Sequence, residues 1–330
     1  MDLRTRYLGF DLPHPFMGGA SPLTADLDGV RRLEDAGASA IVMHSLFEEQ
    51  ITRERFGTIH DMETAAERSA EALAYFPDPQ DFAFGPEGYL EQVRKIKAAV
   101  RVPVIASLNG VSPHGWLDFA AGIAAAGADA LELNIYHVPV QASETGQAVE
   151  QLTLEALRAV KRSVTIPVAV KLSPFFSSLP HLARSLEAAG ADALVLFNRF
   201  LQPDIDIEHL EMLRTSDLST PSQLLTRLRW LAILEGQVSV PMAVSGGIHA
   251  GIDAVKAIMA GASAVQMVSS LLLHGPAHLR VVHDQAHQWM EAHGYESLAQ
   301  MRGSMSLQRS PDPSAYQRAN YMRVLTGWRS

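Results

Sequence analysis

The sequence has no cysteine among its 330 residues. That absence excludes disulfides, iron–sulfur clusters on this chain, zinc–thiolate sites and any thiol acid or nucleophile. Redox chemistry, if present, must use a bound organic cofactor, and no metal is expected. No stretch approaches the ~20 apolar residues of a membrane span, and Met1-Asp2-Leu3-Arg4-Thr5-Arg6-Tyr7 lacks an apolar signal core. Lys and Arg nowhere cluster, and the formal net charge is -9. A nucleic-acid or membrane-surface partner is therefore not expected, and a cytoplasmic protein is. Charged residues are scarce at 19% against 47% hydrophobic, which is too few for disorder and enough apolar content for a large core.

What is present is a repeated phrase. Ala36-Gly37-Ala38-Ser39, Ala126-Gly127-Ala128-Asp129, Ala189-Gly190-Ala191-Asp192 and Ala260-Gly261-Ala262-Ser263 each end an amphipathic stretch and lead into a short apolar run. Glycine takes the left-handed helix C-cap at low steric cost. Between these phrases lie Val102-Pro103-Val104, Ile166-Pro167-Val168 and Val240-Pro241-Met242, where proline stops a helix and a strand follows. The alternation predicts a (β/α)8 TIM barrel with strands near Pro15–Gly18, Ala40–His44, Val104–Ser107, Ala130–Asn134, Val168–Lys171, Ala193–Phe197, Met242–Ser245 and Ala264–Met267. Leu3–Leu12, with Gly9 near its middle, predicts an N-terminal β-hairpin plugging the N-terminal mouth. We expect the barrel over residues 1–303 and a C-terminal helical tail over 304–330, broken by Pro311 and Pro313, that packs on a barrel face or a second subunit.

In such a barrel the chemistry lies just after the strands. The eight exits carry Ala20-Ser21, His44-Ser45, Ser107 with Asn109, Asn134, Lys171, Asn198, Ser245-Gly246-Gly247 and Ser269-Ser270. Any single Ser or Asn there can be an ordinary helix cap; all eight together point to a site. Lys171 at the rim of an apolar barrel needs an anion or an electron-rich ring. Gly246-Gly247 after the seventh strand, with Ser269-Ser270 after the eighth, suits a phosphate.

At these residues the chain resembles the dihydroorotate dehydrogenase family, class 1-like, as a divergent member. The resemblance rests on Pro15-Phe16-Met17-Gly18-Gly19-Ala20-Ser21, Leu131-Glu132-Leu133-Asn134, Val170-Lys171-Leu172-Ser173-Pro174 and Gly246-Gly247-Ile248 through Gln266, then His274-Gly275-Pro276. It implies FMN as cofactor, with Ala20, Ser21, Asn134, Lys171 and Asn198 around the ring and Gly246, Gly247, Ser269 and Ser270 near the phosphate. Ser45, Asn109 and Ser245 complete the expected cofactor set. Where the family carries Cys or Ser as base, this chain reads Asn134-Ile135-Tyr136-His137-Val138-Pro139, so His137 becomes the candidate base, its imidazole titrating near neutrality when unperturbed. His137 and Lys171 are the expected catalytic pair. Two amides that grip orotate in the family are replaced, at Ala72 within Ala72-Leu73-Ala74-Tyr75-Phe76-Pro77 and at Pro139. His44 stands where the family has lysine, Val268 where it has glycine, and Arg199 follows Asn198. Arg199 is either a carboxylate fork or a partner of Asp204 or Asp206. His44, Asn134, Asn198 and Arg199 form the expected substrate set.

The expected activity is hydride transfer between FMN N5 and a small anionic CH–CH substrate, in a homodimer served by a separate electron acceptor or partner electron-transfer protein. The alternatives are an FMN enzyme acting on another unsaturated ring or enoate, a flavin-binding accessory subunit of a larger complex, and a phosphosugar barrel without flavin.

Overall fold

A computed structural model describes residues 1–51, 85–110, 117–199, 202–213, 217–316 and 318–327. Eight parallel strands close into a barrel: β3 (Phe16–Gly18), β4 (Ile41–Phe47), β5 (Val104–Gly110), β6 (Ala130–Ile135), β7 (Val168–Leu172), β8 (Ala193–Leu196), β11 (Met242–Ser245) and β12 (Ala264–Met267). They pair in chain order, and β12 returns to β3. Around them lie α1 (Leu27–Asp35), α2 (Pro86–Ala99), α3 (Leu117–Ala125), α4 (Gly146–Ser163), α5 (Leu179–Ala188), α6 (Leu224–Leu234), α7 (Gly251–Ala260), α8 (Ser269–His274) and α9 (His278–Ala292). The predicted strands are all found, with β4 and β5 running three residues beyond their expected ends.

The repeated phrase does what its chemistry implies. Gly37, Gly127, Gly190 and Gly261 all have positive φ, and the next residue's N–H bonds back into the helix just ended, as Ala38 does to the carbonyl of Leu33. The phrase's aspartates act further. Asp129 Oδ2 accepts from Val104 N at 2.7 Å and from Lys97 Nζ at 2.8 Å, and Asp192 does the same for Val168 N and Lys161. Each ties the head of the preceding strand to the helix that leads into that strand, α2 for Asp129 and α4 for Asp192.

β1 (Thr5–Tyr7) and β2 (Phe10–Leu12) form the expected hairpin, with Leu8 and Gly9 both at positive φ as a tight primed turn requires. Tyr7, Leu8 and Leu12 are buried among Ala40, Ala130, Ala169, Ala193, Ala243 and Ala264, all pointing into the barrel. Small residues at the strand starts leave the volume that the hairpin fills. The larger apolar residues, such as Leu131, Leu133, Val168 and Val170, face the helix layer. β9 (Asp204–Asp206) and β10 (Glu211–Leu213) form a second hairpin beyond β8. After Gly303 the chain stays on the barrel's outer layer, since Met305 N bonds Met259 O and Leu307 N bonds Ala232 O. Beyond α10 (Leu298–Met301), the helix α11 (Arg318–Gly327) packs on the 3-10 turn Pro313–Tyr316, with Tyr321, Met322, Val324 and Leu325 exposed.

His14, just before β3, gives a pH test of this fold. Its Nδ1 accepts from Phe16 N at 3.3 Å, its ring meets His283 edge-on, and burial with the His283 charge lowers its pKa from 6.5 to about 4. Between these values the unfolded chain binds a proton that the folded chain refuses. Stability should therefore be complete above pH 6.5 and decline as pH falls toward 4, by on the order of 2–3 kcal/mol. His14→Asn should flatten that part of the curve; an unchanged slope in urea titrations would rule out His14 as its source.

Candidate active site

Strand alternation decides which side chains enter the barrel. On β6 these are Ala130, Glu132 and Asn134; on β7, Ala169 and Lys171; on β12, Ala264 and Gln266. Lys171 Nζ donates to Glu132 Oε1 at 3.0 Å, and Gln266 Nε2 donates to Glu132 Oε2 at 2.6 Å. The Lys171 and Glu132 side chains are 7% and 1% exposed. A full ion pair thus sits inside the barrel, where neither charge is sustainable alone. Asn134 pairs in register with Lys171 and with Asn109, so these three share a level near the strand ends.

β4 carries a bulge between Val42 and Ser45 that brings Ser45 opposite Ser107, their hydroxyls 2.8 Å apart. His44 falls within the bulge. Its ring lies edge-on against Tyr89 of α2, 5.2 Å between centroids, and burial lowers its pKa against the opposing effect of a hydrogen bond with the Thr24 backbone. Tyr89 belongs to the outer core, its hydroxyl accepting from Ser107 N.

The predicted phosphate loops do come together, through a residue that sequence reasoning missed. Ser219, in the segment ahead of α6, accepts from Gly247 N at 3.1 Å and donates to Ser269 Oγ at 2.8 Å; its own N–H also bonds Ser269 Oγ. Gly247 has φ +82°, and a Cβ there would lie 2.8 Å from Leu224 N, so the glycine lets α6 approach as well as freeing an N–H. Val268, the departure from the family pattern, is accommodated by Gly19. A Cβ on Gly19 would stand 2.7 Å from Val268 Cγ2. Ser21 N bonds Thr24 Oγ1, fixing the turn after β3, and Ala20 is half-buried beside the hairpin's core.

His137 leaves β6 in an irregular loop and hydrogen-bonds through Nε2 to Glu144 Oε1, both side chains mostly buried. Glu144 was not legible as its partner. Arg199 forms no ion pair among the described residues: Asp206 is taken by His209 and by the backbone of Glu208, and Asp204 by Ile205 N. Of the two readings of Arg199, the pairing with Asp204 or Asp206 is therefore not found. The segment Ala72–Pro77 lies outside the described residues, while Pro139 is exposed in the His137 loop.

Asn134 Oδ1, Asn198 Nδ2, Gln266 Oε1 and Ser270 Oγ are cut off from solvent and have no hydrogen-bond partner among the described residues. Buried polar atoms left in that state are costly, and four of them on barrel strands or just past strand ends mark a place that suits a polar ligand. A family model described as dihydroorotate dehydrogenase matches residues 83–290. The chain belongs to the dihydroorotate dehydrogenase family. Among its relatives is the dihydroorotate dehydrogenase B (NAD(+)) catalytic subunit of Methanothermobacter thermautotrophicus, 31% identical over 227 residues, covering 66% of this chain and 73% of that protein. The protein of the same name from Thermoplasma volcanium is 28% identical over 307 residues, covering 92% of this chain and 98% of its own length. The family resemblance read from the motifs and the barrel read from the repeats are both borne out, and with them a flavin-dependent oxidoreductase family. Among the described residues no helix is long and apolar enough to cross a membrane.

Proposed function

We propose that this member of the dihydroorotate dehydrogenase family binds FMN without a covalent link and oxidises or reduces a CH–CH bond in a small anionic substrate. The observation that carries this is the set of four buried polar atoms, on Asn134, Asn198, Gln266 and Ser270, that lack a partner among the described residues and lie on the strands and strand exits of a barrel holding the internal Lys171–Glu132 pair. They offer both acceptors and donors, which the edge of an isoalloxazine ring requires. When bound, FMN supplies the hydride acceptor and donor. Ala20, Ser21, Ser45, Asn109, Asn134 and Asn198 would line the ring, and Ser245, Gly246, Gly247, Ser269 and Ser270 would hold the ribityl phosphate.

The chain's own groups then divide the work. Lys171, inside the barrel, would favour negative charge on the bound ring. Asn134 and Asn198 orient the substrate, Arg199 takes its carboxylate in a fork, and His137 removes or returns the proton on the carbon next to the hydride carbon. Glu144 fixes the His137 ring by holding Nε2, which leaves Nδ1 as the basic nitrogen when Nε2 carries the hydrogen. We leave His44 out of the substrate set because its ring packs on Tyr89. The relatives are named as catalytic subunits. By analogy, and because no cysteine is available for a cluster, electrons leave this chain to a soluble acceptor or a partner electron-transfer protein.

Anaerobic mixing of the FMN-loaded chain with small CH–CH acids, dihydroorotate included, tests the proposal. At least one acid should bleach the flavin far faster than it bleaches free FMN. Pro139 cannot replace the family's amide, and each missing bond to a buried polar group costs about 1–3 kcal/mol, so dihydroorotate should be a slow reductant. Failure of every acid to bleach the bound flavin would contradict the proposed chemistry.

A further inference from the structure

One buried cation is not accounted for by the catalytic proposal. Arg227, on α6, is 9% exposed, and no carboxylate among the described residues pairs with it. Its Nε donates to the Ser245 carbonyl and its Nη1 to the Gln223 carbonyl at 2.8 Å. Both acceptors are neutral. Arginine does not lose its proton at neutral pH, so a buried guanidinium without a counter-ion keeps its full desolvation cost.

Its position says which anion it awaits. A Cβ on Gly246 would lie 2.9 Å from Arg227 Nη2, so the guanidinium rests on the Gly246-Gly247 turn at the end of β11. That turn is joined through Ser219 to Ser269, and the hydroxyl of Ser270, next in the chain, has no partner among the described residues. A second cation acts on it: burial first, and then the charge of Arg199, bring the Arg227 pKa down to about 10. Two guanidiniums that repel one another, neither in an ion pair among the described residues, favour entry of an anion. Nη2, which makes no hydrogen bond among the described residues, is the atom left to meet it.

We infer that Arg227 is the counter-ion of a phosphomonoester dianion seated on the Gly246-Gly247 turn, and that it makes this chain select FMN over the unphosphorylated flavin. The inference rests on the proposed use of FMN. A phosphate dianion suits the place better than a substrate carboxylate, because Arg227 is tied to the β11 turn, while Lys171 and His137 stand on β7 and after β6. Nothing in Leu224-Leu225-Thr226-Arg227-Leu228 distinguishes this arginine from an ordinary helix residue. Its role comes from the carbonyls of Ser245 and Gln223, which draw the side chain inward.

The test is equilibrium binding of FMN and of riboflavin to the full-length apoprotein, followed by flavin fluorescence, for the parent, Arg227→Gln and Arg227→Lys. The parent should bind FMN much more tightly than riboflavin. Arg227→Gln should weaken FMN by about 10–100-fold and leave riboflavin nearly unchanged, the range for a lost charge-assisted hydrogen bond. Arg227→Lys should fall between. Inorganic phosphate should compete with FMN in the parent and raise its Tm, which provides a reading even if the Gln variant folds poorly. Equal losses for both flavins would make Arg227 structural, and an unchanged FMN-to-riboflavin ratio would take it away from the phosphate; either overturns this inference alone. A parent that binds neither flavin overturns the proposed function as well.

Discussion

His137→Ala should slow single-turnover reduction of the bound flavin by about 10²–10⁴-fold and leave FMN affinity nearly intact, the usual loss for a positioned base. The expectation rests on what surrounds the ring. Tyr136, its neighbour, is a phenol, and phenols are poor bases at neutrality. The carboxylate of Glu144 holds one imidazole nitrogen, which selects the tautomer and orients the ring. His137→Gln should be as slow as the alanine variant, because an amide cannot accept the proton. Glu144→Gln should be affected less, by about 10-fold, since the base remains and only its orientation is loosened. If both His137 variants reduce at the parental rate with an unchanged pH dependence, His137 is a loop residue, and Ser143 becomes the next candidate.

Glu132→Gln should destabilise the apoprotein by about 3–5 kcal/mol, because it leaves Lys171 charged and unpaired inside the barrel. Gln266 loses an anionic acceptor in the same substitution. Removing the lysine too should reverse much of this cost. Lys171→Met in the Glu132→Gln background takes away the stranded charge and leaves a side chain of similar length. Urea unfolding of the two single variants and the double variant closes the cycle. A Glu132→Gln chain as stable as the parent would mean the two charges are not coupled. Lys171→Met should also make bound flavin harder to reduce, since the compensating charge is gone.

The barrel was legible because its signals are local and repeated. Each Ala-Gly-Ala phrase closes a helix through bonds within five residues of chain, and each Pro marks a strand start. The lumen was only half legible. Lys171 stood out as a charge ending an apolar run, and the same alternation places Glu132 and Gln266 inside the barrel. Their meeting, however, spans 134 residues of chain and depends on closure of the barrel. The His44 expectation rested on the strand end alone, and neither the bulge in β4 nor the contact of the ring with Tyr89 was legible there. Ser219 and Glu144 lie in irregular segments, where no period assigns a side chain to a face, and Arg227 on α6 is drawn inward by the carbonyls of Ser245 and Gln223, which its helical position does not announce. Val268 looked like a defect in the phosphate loop until Gly19, some 250 residues earlier in the chain, proved to supply the space.

The most direct measurement is the visible absorption spectrum of the chain purified after reconstitution with FMN, together with identification of what heat denaturation releases. The account predicts flavin bands that stay with the protein through gel filtration, released as FMN in an amount equal to the protein. A chain that stays colourless, or that releases all its flavin on the column, would contradict it.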